Sequence, residues 1–270
     1  MYDFTYHRPG SLEAAVRLTA AIDDAKVLAG GMSLLPTLKQ RLGRHSDIVD
    51  LAGLESLAGI RRDGNNLVIG AMTCHADVGA SADVKAAIPA LTVLADGIGD
   101  PLVRNRGTIG GSIANADPAA DYPAGVLGLG ATVFTNRRRI GGDDFFKGLF
   151  ETALEGGEIV TAVSFPIPEK AGYAKFPNPA SRFAIVGVFV AQMGDRRTGG
   201  GVRVAVTGAG PYVFRLAEAE ARLARSFTPE ALDGLVVDRD DLNSDIHASA
   251  EYRAHVIVVM AKRAVAQAIG

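Results

Sequence analysis

A single cysteine, Cys74, is the whole thiol content of these 270 residues. That excludes a disulfide within the chain, and it excludes a cysteine-ligated iron–sulfur cluster, which needs several thiolates. The five histidines (His7, His45, His75, His247 and His255) show neither an HExxH pair nor another metal spacing, so no metal site is expected. Charge of one sign is also lacking: 28 basic and 30 acidic residues give a formal net charge of −2. Such a balance leaves no electrostatic footprint for nucleic acid or an anionic membrane. The local run Arg137-Arg138-Arg139 lies between apolar segments and reads as a solvated turn. No long hydrophobic run is present either. The most apolar late stretch, 255–260, is cut short by Lys262-Arg263, too early for a membrane span. The opening MYDFTYHRPG lacks the charged-then-apolar layout of a signal peptide, so a cytoplasmic location is expected.

What is present is enough for a sizeable core. Apolar residues make up 48% of the chain, and the length suits one large domain or two smaller ones. Ser11 to Ile22 reads as a helix capped by Ser11, and Lys26 to Ala29 as a strand stopped by Gly30-Gly31. Ser33 is placed to cap a second helix running through Leu42 to a stop at Gly43. Strands are expected over residues 47–51, 67–71, 131–134 and 159–165. A helix over 84–98 should bend or restart at Pro89. The stretch Pro166 to Gly172 is the best boundary. Beyond it come strand-like runs at 186–193 and 202–206, joined by a hairpin connection at 194–200. Helices are expected at 214–223, 229–235 and about 248–268. Strands followed by helices point to an α+β unit there.

Two glycine turns carry the chemical signal: Ala29-Gly30-Gly31-Met32-Ser33 and Thr108-Ile109-Gly110-Gly111-Ser112. A pyrophosphate is held without lysine or arginine when several backbone N–H groups converge on it. Glycine permits that by reaching positive φ and by removing a Cβ from the line of approach. In the first motif a strand runs into Gly-Gly, then Ser33, then a helix, which aims hydroxyl and amides at one spot. Either motif alone is equally a tight turn. The chain has no GxxxxGK[ST] and no GxGxxG, because Gly208-Ala209-Gly210-Pro211 lacks the third glycine. A dinucleotide site here is therefore of a non-Rossmann kind.

The motifs extend into a family resemblance. AGGMS at 29–33, followed by LLPTLKQRL, resembles the first FAD-binding motif of the medium subunits of carbon monoxide dehydrogenase and related molybdenum hydroxylases, the xanthine dehydrogenases among them. IGDPLVRNRGTIGGSIANADPAADYPA at 98–124 is similar to their second motif. IGGDDFFKGLFETALEGGEIVTAVSFP at 140–166 and SAEYRAHVIVVMAKRAV at 249–265 match further on, in the same order and spacing. The resemblance implies an α+β chain. Residues 1–170 would be a two-lobed FAD-binding unit of the PCMH/VAO type, with lobes of about 1–55 and 56–170. Residues 174–270 would be a CO dehydrogenase flavoprotein C-terminal-like domain of three strands with helices.

The resemblance also implies roles. Ala29, Gly30, Gly31, Met32, Ser33 and Leu34 would wrap the pyrophosphate from one side, with Thr108, Gly110, Gly111 and Ser112 on the other. Asp121 matches a carboxylate that bonds a ribose or ribityl hydroxyl, although on local grounds it equally reads as a helix N-cap. Asn115 is a further contact or a turn amide. Ile98 would pack near the cofactor or in the core. Ile159, beside Val160, would offer backbone groups to its edge. Lys175 would be a cation near the flavin or a solvated surface lysine. Phe183 would lie over the isoalloxazine, although Pro179-Ala180-Ser181-Arg182 departs from the glycine and aspartate that relatives carry there. Thr73 and His75 follow a strand close to the expected pocket. No catalytic side chain is expected.

The implied function is electron transfer. FAD would be bound non-covalently, and the molybdopterin and [2Fe–2S] clusters would sit on partner subunits. Those partners are a small iron–sulfur chain and a large molybdopterin chain, in a dimer of heterotrimers. Electrons would pass from the clusters to FAD and on to an external acceptor. An independent flavin reductase or oxidase of the same superfamily, or a nucleotide-binding module without redox chemistry, are the competing readings.

Overall fold

The computed structural model describes residues 1–194 and 201–270. The first fifty residues build a small parallel sheet. Strands β1 (Thr5–His7), β2 (Ala25–Leu28) and β3 (Asp47–Asp50) lie in the order β1-β3-β2. Parallel neighbours need crossovers, and these are helices α1 (Leu12–Ala21) and α2 (Leu34–Lys39). Ser11 opens α1 as its position predicts, its Oγ accepting from the Ala14 amide at 3.2 Å. Helix α2 departs from expectation at both ends. Ser33 has helical φ and ψ and its side chain caps nothing. The helix stops at Lys39 rather than at Gly43, because Arg41 turns the chain with φ of +60°. Ala15, Val49, Leu51, Leu54 and Leu57 form a core of their own here.

A five-stranded antiparallel sheet follows, in the order β4-β5-β10-β6-β7. Its strands are β4 (Ile60–Asp63), β5 (Asn66–Gly70), β6 (Thr132–Thr135), β7 (Arg139–Gly141) and β10 (Val160–Pro166). Between β5 and β6 the chain runs through six short helices: α3 (His75–Ala80), α4 (Ala82–Ala87), α5 (Pro89–Asp96), α6 (Pro101–Arg104), α7 (Ile109–Asn115) and α8 (Tyr122–Gly128). Pro89 does restart a helix, taking the first position of α5, where its missing N–H costs nothing. Between β7 and β10 lie α9 (Gly142–Phe145) and the hairpin of β8 (Phe146–Gly148) and β9 (Glu151–Thr152). The arginine run is not simply solvated. Arg138 donates through Nε and Nη2 to the two carboxylate oxygens of buried Glu158 at 3.0 Å each, and Arg139 belongs to β7.

The segment read as a boundary, 166–172, runs from the last residue of β10 through residues 167–169 into the start of the next strand. β11 (Lys170–Pro177) pairs with β12 (Ala184–Gln192), β12 with β13 (Val202–Thr207), and β13 with β14 (Phe214–Arg215), all antiparallel. The sheet therefore has four strands where three were expected. Phe214 and Arg215 extend it instead of starting a helix, and α10 (Ala217–Leu223) begins after them. Of the expected 194–200 connection, residues 195–200 lie outside the described residues. The expected helix at 229–235 is one short turn, Pro229–Leu232. Helix α11 (Ala250–Ile269) is capped by Ser249 and covers one face of this sheet through Val256, Ile257, Met260 and Ala264. The approach is close: a Cβ on Gly172 would fall 1.9 Å from the Ala264 carbonyl oxygen. The opposite face contributes Tyr173, Phe189, Ala191 and Ala205 to the large core that also holds residues of α5 and α8. One apolar core thus runs across both halves of the chain.

Candidate functional site

The fold brings the two glycine turns into contact. The chain leaves β2 at Leu28 and crosses Gly30 directly over residues 106–107. A Cβ on Gly30 would lie 2.0 Å from the Arg106 carbonyl oxygen and 2.7 Å from Gly107 Cα. A Cβ on Gly111 would meet Ala29 Cβ at 3.3 Å. Gly31 takes φ of +76°, a conformation that glycine adopts without the steric cost of a side chain. These glycines are thus required by close approach and by backbone conformation together.

The two turns differ in what their amides do. The N–H groups of Gly30, Gly31, Met32 and Ser33 donate to no group among the described residues. The second turn is already occupied by the chain itself. Ile109 N donates to Thr73 O at 3.1 Å, Gly110 N to Ala71 O at 2.8 Å and Ser112 N to Thr108 O at 3.0 Å. Gly111 N donates to Thr108 Oγ1 at 3.1 Å. The expectation that the amides of Gly110, Gly111 and Ser112 face a ligand finds them engaged elsewhere. That turn offers instead the side chains of half-buried Ser112 and exposed Asn115, which have no hydrogen-bond partner among the described residues. Met32 is exposed and Leu34 half-buried beside the free amides.

Asp121 and Lys175 are brought together although 54 residues separate them. Lys175 Nζ lies 2.9 Å from Asp121 Oδ1. It also donates to the carbonyls of Gly97 at 2.7 Å and Arg182 at 3.0 Å. The Tyr173 hydroxyl donates to the same carboxylate. Burial pushes the Asp121 carboxyl up, opposed by the Lys175 charge and by the bonds from Tyr173 and Lys175. Asp121 stands at the N-cap position of α8, but its side chain makes no capping bond, and Lys175 is no solvated lysine. Ile98, next to Gly97, packs half-buried against the main core. Phe183 is 43% exposed. It follows Arg182, which takes φ of +62°, and lines a cavity of about 220 Å³ with Pro118, Asn178 and Arg253.

Ile159 does not join this group in the way expected. Its amide donates to Asn136 Oδ1 at 2.8 Å and its carbonyl accepts from Asn136 N at 3.0 Å, while its side chain sits in the small N-terminal core. Thr73 is held by Gly59, accepting from its N–H at 3.0 Å and donating to its carbonyl at 3.1 Å. His75 lies beneath the second turn. Its amide donates to Gly107 O at 2.9 Å, and a Cβ on Gly107 would fall 2.6 Å from its Nε2. Burial pushes the imidazole down to about 4, so it is neutral at pH 7. Its Nδ1 is buried without a hydrogen-bond partner. The contacts of Tyr173 and Arg106 have no counterpart in the sequence reading. The signal for Tyr173 was β-strand patterning hidden among prolines at 166–179. Among the described residues no cluster of three or more His, Cys, Asp or Glu side chains could hold a metal. None of their helices is long and apolar enough to cross a membrane.

Comparison with known proteins accounts for nearly the whole chain. Residues 2–168 match the family described as the FAD binding domain in molybdopterin dehydrogenase, and residues 171–268 match the CO dehydrogenase flavoprotein C-terminal domain. The chain is 34% identical to the carbon monoxide dehydrogenase medium chain of Hydrogenophaga pseudoflava, covering 97% of this chain and 95% of the relative. It is also 34% identical to the nicotine 6-hydroxylase medium subunit of Paenarthrobacter nicotinovorans, covering 97% and 96%. Among solved structures, reconstituted CO dehydrogenase from Oligotropha carboxidovorans superposes with a TM-score of 0.91 at 33% identity, over 99% of this chain and 98% of that one.

Proposed function

The chain belongs to the FAD-binding medium subunits of the molybdenum hydroxylases, and on that premise we propose that it holds FAD non-covalently between its two glycine turns. One observation carries this reading: four successive amides, Gly30 to Ser33, have no acceptor among the described residues and lie where the turn packs on Arg106 and Gly107. A pyrophosphate fits that cradle. Each N–H to a charged oxygen contributes roughly 1.5–3 kcal/mol, so four of them sustain tight binding after association costs.

The remaining assignments follow from placement. The Ser112 and Asn115 side chains supply donors from the second turn, with Thr108 fixing its shape through Gly111 N. Asp121, held by Lys175 and Tyr173, presents a fixed carboxylate to a sugar or ribityl hydroxyl. Lys175 supplies positive charge nearby and ties Gly97 and Arg182 into the same wall. Phe183 covers the ring edge. FAD, when bound, accepts electrons singly and delivers them in pairs. This chain's residues bind it, orient it and keep water from the buried ion pair. The clusters and the molybdopterin belong to a small and a large partner subunit, in a dimer of heterotrimers located in the cytoplasm. We divide the chain into a cofactor domain, 1–170, with lobes of about 1–55 and 56–170, and a C-terminal domain, 174–270.

Stopped-flow absorbance tests the proposal. Dithionite should bleach the flavin of the isolated chain, whereas aldehydes, purines or CO should not. Adding the iron–sulfur and molybdenum chains should restore bleaching by the substrate of the complex. Rapid bleaching of the isolated chain by an organic substrate would instead establish an independent flavoenzyme.

A further inference from the structure

Gly107 is in close contact with a buried ring and with a second glycine. A Cβ on Gly107 would stand 2.6 Å from Nε2 and 2.9 Å from Cδ2 of His75. A Cβ on Gly30 would fall 2.7 Å from Gly107 Cα. The imidazole and Gly30 therefore both pack on Gly107 with no side chain intervening. A short antiparallel ladder keeps the ring in this place. Cys74 bridges Thr108, the His75 amide donates to Gly107 O at 2.9 Å, and the Ile109 amide donates to Thr73 O at 3.1 Å. The ring also packs on Tyr122, with centroids 5.3 Å apart. Tyr122 is fully buried and follows Asp121 at the start of α8.

Packing alone does not call for histidine here. The side chain is buried, its imidazole is pushed down to about 4, and its Nδ1 has no hydrogen-bond partner. An apolar side chain of similar size avoids that desolvation cost, and an unmet polar atom in a core calls for an explanation. What the imidazole offers is shape. A flat five-membered ring is thinner than leucine and shorter than phenylalanine. Close-packed interiors transmit such differences in thickness instead of absorbing them.

We propose that His75 is a positioning residue for the cofactor: its ring is the spacer that sets where Gly107 stands. Through Gly107 it sets the path of Gly30 to Ser33 and the aim of their amides. His75 acts through the glycine backbone and not by contact with the cofactor. The inference rests on the reading that those amides hold the pyrophosphate.

Reciprocal substitutions test the spacer. Gly107 has no positive φ, and apart from the imidazole its added Cβ meets only the Val103 carbonyl oxygen, at 3.1 Å, among its three nearest atoms. Gly107→Ala should push ring and turn apart, and His75→Ala should let the turn settle inward. Each should weaken FAD binding by roughly tenfold or more, the loss expected when one amide-to-oxygen bond is misaligned. Fluorescence titration with FAD, well below the Tm of each variant, reads this. In the double variant the methyl added at Gly107 takes up space that the ring vacates, so affinity should return to within about threefold of the parent. Leu232→Ala opens a cavity in the C-terminal core. It should lower Tm without changing FAD affinity, which separates lost stability from lost position. Should His75→Ala fail to fold, His75→Asn keeps a planar group of shorter reach and carries the same comparison, alone and with Gly107→Ala.

Parent-like FAD affinity in the His75 variant overturns the spacer. A double variant that binds no better than the single ones does so too, as does an equal loss in Leu232→Ala. In each of these cases the cradle reading stands as long as Gly31→Ala loses FAD. If the unaltered chain binds no FAD, or Gly31→Ala retains it in full, the cradle itself is misassigned and the spacer falls with it.

Discussion

Lys175 Nζ stands 2.9 Å from Asp121 Oδ1 in the buried seam between the cofactor half of the chain and the C-terminal sheet. Neither residue is charged for the sake of solubility: their side chains are 9% and 4% exposed. A buried pair of this kind adds little against a well-packed apolar alternative, but removing one partner leaves an uncompensated charge. The pair therefore fixes the register of β11 against α8, and its loss should be felt both in stability and at the cofactor wall.

Lys175→Met should destabilise the chain by about 3–5 kcal/mol at pH 7. The sign with pH follows from Asp121, whose carboxyl is already pushed up by burial and loses its opposing cation in the variant. A carboxyl raised in the folded state favours folding when protonated, so its penalty grows as pH rises from the ordinary carboxylate value through the raised one. The variant should lose less stability relative to the parent at pH 5 than at pH 8. Urea titrations at the two pH values check this, and an equal deficit at both would contradict it.

His75 gives the opposite slope. Its imidazole falls from the ordinary 6.5 to about 4 through burial, with a smaller push from Arg104. The unfolded chain therefore takes up a proton first as pH drops, and stability present above about 6.5 is lost progressively toward about 4. His75→Gln should remove part of this acid sensitivity. The difference in unfolding free energy between pH 7 and pH 5 should shrink by on the order of 1–2 kcal/mol. An unchanged difference would show that His75 is not the group responsible.

Glu158 adds an acid-sensitive contact of a different kind. Arg138 holds its carboxyl down to about 2, helped by the Glu155 amide and the Thr135 hydroxyl. A carboxyl depressed in the folded state stabilises above its unfolded value near 4.5 and loses that contribution as pH falls toward 2. Arg138 is 43% exposed, so solvent screening reduces the effect. Glu158→Gln should cost about 1–2 kcal/mol at pH 7 and almost nothing near pH 2. Thermal melts across that range measure it.

How far the sequence could be read follows from the reach of its signals. Local ones were reliable: Ser11 as a cap, Pro89 as a restart, and the apolar run of β12 all depend on neighbours within a few residues. The pairing of Gly30 with Arg106 and Gly107 spans 76 residues or more of chain and leaves no periodic trace. Its glycines were visible, but their contact was not. Asp121 does hold the N-cap position that an aspartate before Tyr-Pro suggests, but the partners of its side chain, Tyr173 and Lys175, come from a distant strand that local pattern does not reveal. That strand was itself obscured by surrounding prolines. Ile159 shows the same limit, since its backbone groups are taken by Asn136, a residue with no distinguishing pattern.

The cofactor cradle is tested at the glycines themselves. Gly30→Ala places a methyl 2.0 Å from the Arg106 carbonyl oxygen, a clash with backbone that only a separation of the two turns relieves. Gly31→Ala is strained by φ of +76° and presses on Leu35 Cδ1 at 2.9 Å, tilting the amides that Gly31 to Ser33 present. Gly156→Ala has no atom within 4 Å of its added Cβ and no positive φ, so it is the matched control. The two cradle variants should lose tenfold or more in FAD affinity, about 1.4 kcal/mol per factor of ten, with much of the fold kept, and the control should match the parent. The flavin absorbance retained after gel filtration gives the ratio, and heat-released flavin in the filtrate should be FAD with none left on the chain. Full FAD occupancy in Gly30→Ala and Gly31→Ala alike would place the pyrophosphate somewhere other than these turns.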